Sequence, residues 1–437
     1  MEASAQPFPL VFNPDGDQSG LTFAESKLSS GCAIAYSPAN LTDKYYFIAM
    51  STLFDQSLDR RANSRSAKWH FFDEDVLPMW VADMDFRSPQ VVIDALKARV
   101  EHGVFGYEWP SKEFLQSLCN WCKKQYDWDI ETEHIVELPG LVSGLNAVSR
   151  AFSHVGDAAI TLTPVYPPFL SAPVNQGMTV TQVPLVRVDD EHETFHYSID
   201  FEAFEKAITS RTKLFILCNP HNPTGHEYTR DELSKLADIC VRHDVLICSD
   251  EIHCDLLLDD TSHLPIAKIS PEVAARTITL MAPSKTFNLP GLGFSFAVIQ
   301  DRKLRDRFNQ SNSGLIPHTN ALGMVAAQAA YDHGQGWLTE LRSYLTENRN
   351  VVMDFVAENL AGVKVTKPNA TYLSWMDVSQ TNAMPEPQTF FLKQARVALN
   401  NGAMFGAGGD GFVRVNFGAP RTLILEGLER MHKALKS

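Results

Sequence analysis

Short apolar segments rich in β-branched residues alternate with amphipathic helices along the centre of the chain, and this alternation restricts the possible folds more than any other sequence feature. The predicted strands cover residues 159–163, 180–184, 213–218, 245–249, 277–281 and 294–299. Thr229 and Glu232 form a capping-box pattern that predicts a helix from there to about residue 243. Strand–helix–strand repetition predicts an α/β fold in which a mostly parallel sheet carries helices on both faces.

The pattern changes after about residue 320. Helices are predicted over 321–331 and 337–360, then a strand at 372–376, a helix at 388–400, a strand at 411–417 and a final helix to about residue 435. We expect four regions: a flexible N-terminal extension (1–49), an N-terminal segment that joins the small domain (50–100), a large domain (101–330) and a small C-terminal α+β domain (331–437).

Charge and cysteine usage exclude several classes of protein. A formal net charge of −14 over 437 residues argues against a nucleic-acid or anionic-membrane surface. No apolar run approaches the roughly 18 residues of a membrane span, and a basic start typical of a secretory signal is missing, since the first basic residue is Lys27. Seven scattered cysteines, an odd number, favour a reducing cytoplasm. Cys119 and Cys122 form a lone CxxC that we interpret as two buried small hydrophobes; we predict no metal site.

Three polar residues each follow a predicted strand closely. Lys285 follows 277–281, Asp250 follows 245–249, and Asn222 follows 213–218 in a stretch stiffened by Pro220 and Pro223. Ligands bind beyond the carboxyl ends of the strands in open parallel sheets, so we expect these side chains to converge there. Taken singly, they could be a surface lysine, a helix-capping carboxylate and an Asx turn.

Together the three residues meet the needs of pyridoxal 5′-phosphate (PLP). Lys285 would form a Schiff base with the cofactor and later act as general base at Cα. Asp250 would face the pyridine nitrogen and keep it protonated, and the Asn222 amide would face the phenolic oxygen. The sequence therefore predicts a PLP enzyme.

Further cofactor candidates lie near the same strand ends. His253 could donate to the phenolic oxygen or pack beneath the ring, with a satisfied core histidine as the alternative. Ser284 could donate to the phosphate or make a local turn bond. Tyr166, which follows strand 159–163, could stack on the ring or fill the core.

The phosphate and the substrate carboxylate also have candidates. The backbone N–H groups of Leu141 and Val142 begin a predicted helix after Gly140, and such a helix start can cradle a phosphate. Tyr107 is a candidate to reach the phosphate across a subunit interface. Arg414 alternates with apolar residues in its strand, so its guanidinium could clamp an α-carboxylate bidentately, with an exposed strand arginine as the alternative.

One motif is a decoy. Residues 406–411 fit G-x-G-x-x-G, but the segment precedes a predicted strand. A dinucleotide-binding loop instead follows a strand and opens a helix. We therefore expect no dinucleotide site.

The motif-bearing segments at residues 77–86, 218–225, 249–253 and 283–288 resemble the fold-type I PLP enzymes of the class I/II aminotransferase superfamily, and within it the MalY/PatB-type cystathionine β-lyases. The resemblance covers about residues 55–435. It implies the PLP-transferase fold type I, a homodimer with active sites at the interface, and α,β-elimination from cystathionine or other cysteine S-conjugates. It also implies that the Ala82 backbone lies near the substrate carboxylate.

We therefore expect Lys285, Asp250 and Tyr166 to be the catalytic residues, and Arg414, Asn222 and Ala82 to be the substrate-binding residues, of which Ala82 alone rests on the resemblance. The chain departs from the superfamily at Gly293, where an arginine often binds phosphate, and at 369–370, which reads Asn-Ala where relatives usually read Glu-Gly. An aminotransferase and a PLP-binding regulatory protein remain alternative functions.

Overall fold

The computed structural model describes residues 53–259 and 261–437, so the extension predicted over 1–49 lies outside the described residues. The strands are β1 (Leu77–Pro78), β2 (Ile135–Leu138), β3 (Ala158–Thr163), β4 (Thr179–Pro184), β5 (Val186–Asp189), β6 (Thr194–Ser198), β7 (Thr212–Cys218), β8 (Leu246–Asp250), β9 (Thr277–Met281), β10 (Ser295–Val298), β11 (Lys364–Thr366), β12 (Leu373–Asp377), β13 (Val397–Ala398), β14 (Asn400–Asn401) and β15 (Phe412–Asn416). The α-helices are α1 (Ala67–His70), α2 (Gln90–His102), α3 (Lys112–Tyr126), α4 (Leu141–Phe152), α5 (Pro168–Val174), α6 (Phe201–Lys206), α7 (Arg230–Arg242), α8 (Pro271–Ala274), α9 (Pro283–Thr286), α10 (Arg302–Asn312), α11 (Ala321–His333), α12 (Gln335–Asn359), α13 (Pro387–Phe390) and α14 (Arg421–Lys436).

The larger sheet is mostly parallel, as predicted. Within the described residues it has seven strands in the order β2-β10-β9-β8-β7-β3-β4. The pairs from β9 through β4 are parallel, whereas β10 runs antiparallel to both β9 and β2. The α/β fold class is confirmed.

Helices cover both faces of this sheet because its strands are apolar on both sides. In β7, Phe215 and Leu217 pack in one core with α7, while Leu214 and Ile216 pack in the opposite core with α4. Successive strand residues point to opposite faces, so a continuous apolar run indicates a strand buried on both. The core that contains α7 also takes in Trp375 of the second sheet.

The second sheet has six strands within the described residues, in the order β14-β15-β12-β11-β6-β5. The β5–β6 hairpin lies within residues 101–330, yet β6 pairs in parallel with β11. The segment over 50–100 also reaches the C-terminal part of the chain, because β1 pairs with β13. These two strand pairings, β6 with β11 and β1 with β13, thus connect the C-terminal region to earlier parts of the chain.

The local predictions are largely confirmed. Thr229 and Glu232 form the expected capping box at the start of α7. Cys119 and Cys122 are buried in α3, and the glycine-rich stretch 406–411 leads into β15. Among the residues that the structure describes, no helix is long and apolar enough to cross a membrane.

The helix predicted over 388–400 is wrong in its second half. Helix α13 ends at Phe390 and one π-helical turn continues to Ala395. Arg396 then adopts a left-handed φ of 53° and the chain enters β13. Pairing of Val397 and Ala398 with β1, more than 300 positions earlier in the chain, overrides the local helical pattern.

Candidate active site

The predicted site residues meet at the carboxyl edge of the larger sheet. Asp250 is the last residue of β8, where it lies opposite Cys218 of β7 and Leu280 of β9. Asn222 follows β7 in a tight loop, and Lys285 follows β9 in the short helix α9. Parallel neighbouring strands end at the same edge, so three separate segments deliver their polar side chains to one place.

Lys285 presents an amine that burial makes less basic. The side chain is half-buried and its Nζ donates to the carbonyl oxygen of Ala82. Burial lowers the pKa of the amine to about 8; the charge of Arg414 lowers it too, while Asp83 and Asp250 oppose the shift. A larger fraction of the amine is therefore neutral, and hence nucleophilic, at neutral pH.

Asp250 is a buried carboxylate, 4% exposed. Its Oδ1 accepts a hydrogen bond of 3.1 Å from the backbone N–H of Ile252. Burial raises the pKa of the carboxyl to about 7; the Glu251 charge adds to this shift, while the Ile252 hydrogen bond and the Lys285 charge oppose it. A carboxylate in this setting stays ionised when a cation lies against it, which is what a protonated pyridine nitrogen would supply.

Arg414 lies in β15 and is 3% exposed. The alternative interpretation, an exposed strand arginine, is therefore wrong. One terminal nitrogen donates to Asn222 Oδ1 over 2.9 Å, and the other donates to the Trp80 carbonyl and Asn400 Oδ1 over 2.9 and 2.6 Å. Its Nε has no partner among the described residues. Burial lowers the pKa of the guanidinium to about 10.

The contact with Arg414 also orients Asn222. Because the guanidinium occupies Oδ1, the amide nitrogen Nδ2 is the group left to donate. The Asn222 backbone carbonyl accepts from the backbone N–H of Tyr166 over 3.0 Å, which ties two strand-end loops together. Asn222 is 5% exposed and therefore has few other orientations available.

Two rings lie near these groups. Tyr166 is half-buried, and burial raises the pKa of its phenol, with Arg414 opposing that shift. His253 is 2% exposed, packs edge-on against Tyr372 at 6.0 Å between ring centroids, and has no partner for Nδ1 in the described chain. Burial lowers the pKa of His253 far below its usual value, and the charges of Lys285 and Arg414 lower it further. The imidazole is therefore neutral.

The helix start predicted to hold phosphate lies beside the same edge. Leu141 and Val142 are the first residues of α4. A Cβ built on Gly144, one turn into that helix, would lie 3.3 Å from Leu280 of β9, so the helix begins next to the strand that leads to Ser284. The first backbone N–H groups of a helix carry partial positive charge and suit a phosphate. Ser284 is half-buried.

Tyr107 does not join the site within one chain. It is 97% exposed, in a segment of irregular structure between α2 and α3. Neighbouring Val104, Phe105 and Trp109 are 64%, 60% and 74% exposed. A role for Tyr107 at a phosphate therefore requires a second subunit.

The sequence motifs gave no indication of the contacts that hold Ala82 in place. The Ala82 carbonyl accepts from Lys285 Nζ and, over 2.8 Å, from the hydroxyl of Tyr372. Asn416 Nδ2 donates to the carbonyl of Asp83 over 2.7 Å, and Asn288 exchanges hydrogen bonds of 3.0 and 2.8 Å with the Met84 backbone. These side-chain amides make hydrogen bonds to the backbone of a segment without regular secondary structure, and so hold it in place as backbone pairing holds a strand.

A partly buried ion network also contacts that segment. Lys68, 2% exposed, pairs with Asp85 over 2.6 Å, and Arg60 pairs with Asp83 and Asp85 over 3.0 and 2.7 Å. A buried lysine is costly unless it is paired with a negative charge. The alternation of Asp83 and Asp85 with apolar residues was therefore the one sequence signal for this network. The network places the Asp83 charge where it acts on Lys285.

These residues fit PLP. The chain offers an amine of lowered basicity, a buried carboxylate for a cationic ring nitrogen, a donor amide and a neutral histidine with an unpartnered buried nitrogen. A helix start suited to phosphate lies at the same edge of the sheet. Each group matches one part of the cofactor.

Comparison with known proteins agrees with this geometry. The chain is 39% identical over 386 residues to cystathionine beta-lyase PatB of Bacillus subtilis, covering 86% of this chain and 98% of that protein. Among solved structures, OvoB superposes with a TM-score of 0.83 at 41% identity, covering 88% of this chain and 99% of that one. Cystalysin from Treponema denticola, which contains PLP, superposes with a TM-score of 0.82 at 34% identity, covering 88% and 98%. The family model described as aminotransferase class I and II matches residues 74–431, and the chain therefore belongs to that family.

Proposed function

We propose that the protein is a PLP-dependent carbon–sulfur β-lyase that cleaves L-cystathionine or related cysteine S-conjugates to a thiol, pyruvate and ammonia. The carrying observation is the convergence of Lys285, Asp250, Asn222 and Arg414 at one sheet edge. Likeness to a cystathionine β-lyase over 98% of its length supports the choice of reaction.

PLP would be held by groups from several segments. Lys285 would bind it covalently, Asp250 would face the pyridine nitrogen, and Asn222 Nδ2 would donate to the phenolic oxygen. His253 and Tyr166 would contact the ring. Ser284 and the Leu141 and Val142 backbone would bind the phosphate. The bound cofactor supplies an electron sink for the negative charge that develops at the substrate Cα.

The chain's own residues then perform three tasks. Arg414, already fixed by Asn222 and Asn400, would bind the substrate α-carboxylate together with the Ala82 backbone. Lys285, displaced by the substrate amine, would accept the Cα proton at Nζ. Asp250 would hold a proton on the ring nitrogen, which would keep the ring able to accept the negative charge that develops at Cα.

We also propose a homodimer in which the exposed Val104–Trp109 segment brings Tyr107 to the partner's site. Four large exposed apolar side chains in six positions are costly in water and are typical of an interface. In this proposal the small domain comprises 331–437 with the 50–100 segment, and the large domain comprises 101–330. A cytoplasmic location is supported by the described cysteines, all of which are free and buried.

The reaction is tested with purified protein, PLP and L-cystathionine, using a lactate-dehydrogenase-coupled assay for pyruvate in the absence of added keto acid. Pyruvate release that is lost in Lys285→Ala supports the lyase. A parallel set of amino-acid and keto-acid pairs tests the aminotransferase alternative. Turnover that strictly requires a keto acid would contradict the proposal.

A further inference from the structure

A buried carboxylate–imidazole–carboxylate triad lies directly behind the cofactor site. His263 Nε2 lies 2.9 Å from Glu251 Oε2, and His263 Nδ1 lies 2.8 Å from Glu227 Oε1. The side chains of His263 and Glu251 are fully buried and that of Glu227 is 3% exposed. The triad joins the loop after β7, the end of β8 and the loop that follows it.

The histidine in this triad is an imidazolium. Both ring nitrogens face carboxylate oxygens, and an imidazolium can donate a hydrogen bond to each of them. Burial of the ring opposes protonation, but the two carboxylates outweigh it and raise the pKa of His263 to about 10. The triad therefore holds two negative charges and one positive charge, and Glu227 Oε2 has no partner among the described residues.

Glu251 connects the triad to the cofactor site because it directly follows Asp250. Successive extended residues point to opposite sides, so the two carboxylates diverge from one strand end. Glu251 Oε1 accepts from the Ser249 hydroxyl over 2.8 Å and from the Ile266 backbone N–H over 3.3 Å. The Glu251 charge is nonetheless close enough to raise the proton affinity of Asp250.

We propose that His263 is a positioning residue for the cofactor site: it compensates the charge of Glu251 and holds that side chain away from Asp250, so that Asp250 alone presents negative charge to the pyridine nitrogen. The triad performs no chemistry of its own. This inference rests on the proposed function to the extent that PLP is the bound cofactor.

The test compares wild type, His263→Gln, Glu251→Gln/His263→Gln and Glu227→Gln as holoenzymes. Two quantities are measured: the dissociation constant of PLP by equilibrium dialysis, and the pH midpoint of the visible absorption band of the bound cofactor. Glu227→Gln is the matched control, since it removes an equally buried carboxylate from His263 while keeping an acceptor for Nδ1. Failure of the wild type to bind PLP would refute the proposed function itself.

Loss of the imidazolium leaves Glu251 uncompensated beside Asp250. His263→Gln should therefore weaken PLP binding at least about tenfold and raise the absorption midpoint by about half a pH unit or more. The double variant, which removes the uncompensated carboxylate, should return both quantities to within about threefold and about 0.2 pH unit of wild type. Glu227→Gln should stay within the same limits.

Several results would overturn the inference. One is His263→Gln binding PLP as wild type does; another is a double variant as impaired as the single, which would indicate a packing role. Equal impairment in Glu227→Gln would show that any break in the triad suffices. If His263→Gln fails to fold, a folded double variant with near wild-type affinity supports the inference, and a double variant that also fails to fold refutes it.

Discussion

Replacing Asp250 by asparagine should weaken PLP binding and, at the same time, stabilise the protein from which PLP has been removed. Asparagine keeps an oxygen that can accept from Ile252, so the local backbone contact survives. What changes is the charge. In the cofactor-free protein that charge is buried without a cation against it, and it therefore lowers stability.

The pH dependence follows from the direction of the pKa shift. The folded state holds the Asp250 proton up to about pH 7, whereas the unfolded chain releases it from 3.8. The folded state therefore binds more protons in this window, and the stability of the wild type falls as pH rises through it. At about 1.4 kcal/mol per pH unit, the raised pKa of Asp250 lowers stability by about 4 kcal/mol at pH 8, and by about 1.6 kcal/mol at pH 5, where the folded state keeps a proton that the unfolded chain has released.

The asparagine has a cost of its own, because its NH₂ group is left without a partner at about 1–2 kcal/mol. Asp250→Asn should therefore match the wild type at about pH 5 and exceed it by about 2–3 kcal/mol at about pH 8. Urea unfolding of the cofactor-free proteins at both pH values measures this. Asp410→Asn, at an exposed position, is the control and should change stability by less than about 0.5 kcal/mol. A difference between variant and wild type that does not grow with pH would refute the reasoning.

Three further predictions concern attachment, substrate binding and packing. The rate at which PLP attaches covalently to the cofactor-free protein, measured by stopped-flow absorbance, should rise with pH around a midpoint of about 8, because burial lowers the pKa of the Lys285 amine to that value. A midpoint near the pKa of free lysine would contradict this. Arg414→Lys should raise KM for cystathionine by about 10- to 100-fold with kcat less affected, since one ammonium nitrogen with three protons cannot keep the contacts with Asn222, Trp80 and Asn400 and also bind the carboxylate; unchanged steady-state KM would remove Arg414 from carboxylate binding. Gly225→Ala should cost about 2–4 kcal/mol in urea unfolding, because Gly225 has a φ of +73° and an added Cβ would lie 2.2 Å from Pro368 Cβ. Gly336→Ala, where an added Cβ meets nothing within 4 Å, should stabilise the protein by up to about 1 kcal/mol, and equal effects at the two glycines would refute this explanation.

Much of the larger sheet could be predicted because its strands and helices depend on the pattern of residues within short segments. Strand β9 matches its predicted range residue for residue, since a short segment that is apolar on both faces is stable only where both faces are buried. Helix α7 begins where its capping box requires. Lys285, Asp250 and Asn222 were predicted to converge, and they do, because order along the chain and parallel pairing suffice to bring strand ends together.

Other features depend on pairings between distant segments, which local sequence does not encode. The end of the helix at Ala395 is decided by pairing with β1. The contacts of Arg414 require β15 to lie beside β14 and to face the loop after β7. Nothing in the spacing of Glu227, Glu251 and His263 suggested that they form one buried ionic cluster.

The sequence alone determined the fold class, the cofactor and the residues at the strand ends, because burial periodicity and strand-end chemistry are properties of short segments. The tertiary structure decided which charges face one another. It placed Lys285 Nζ on the Ala82 carbonyl and surrounded the Asp250 carboxylate with protein. Proton affinities depend on burial and on charges a few ångströms away, and those distances exist only once the chain has folded.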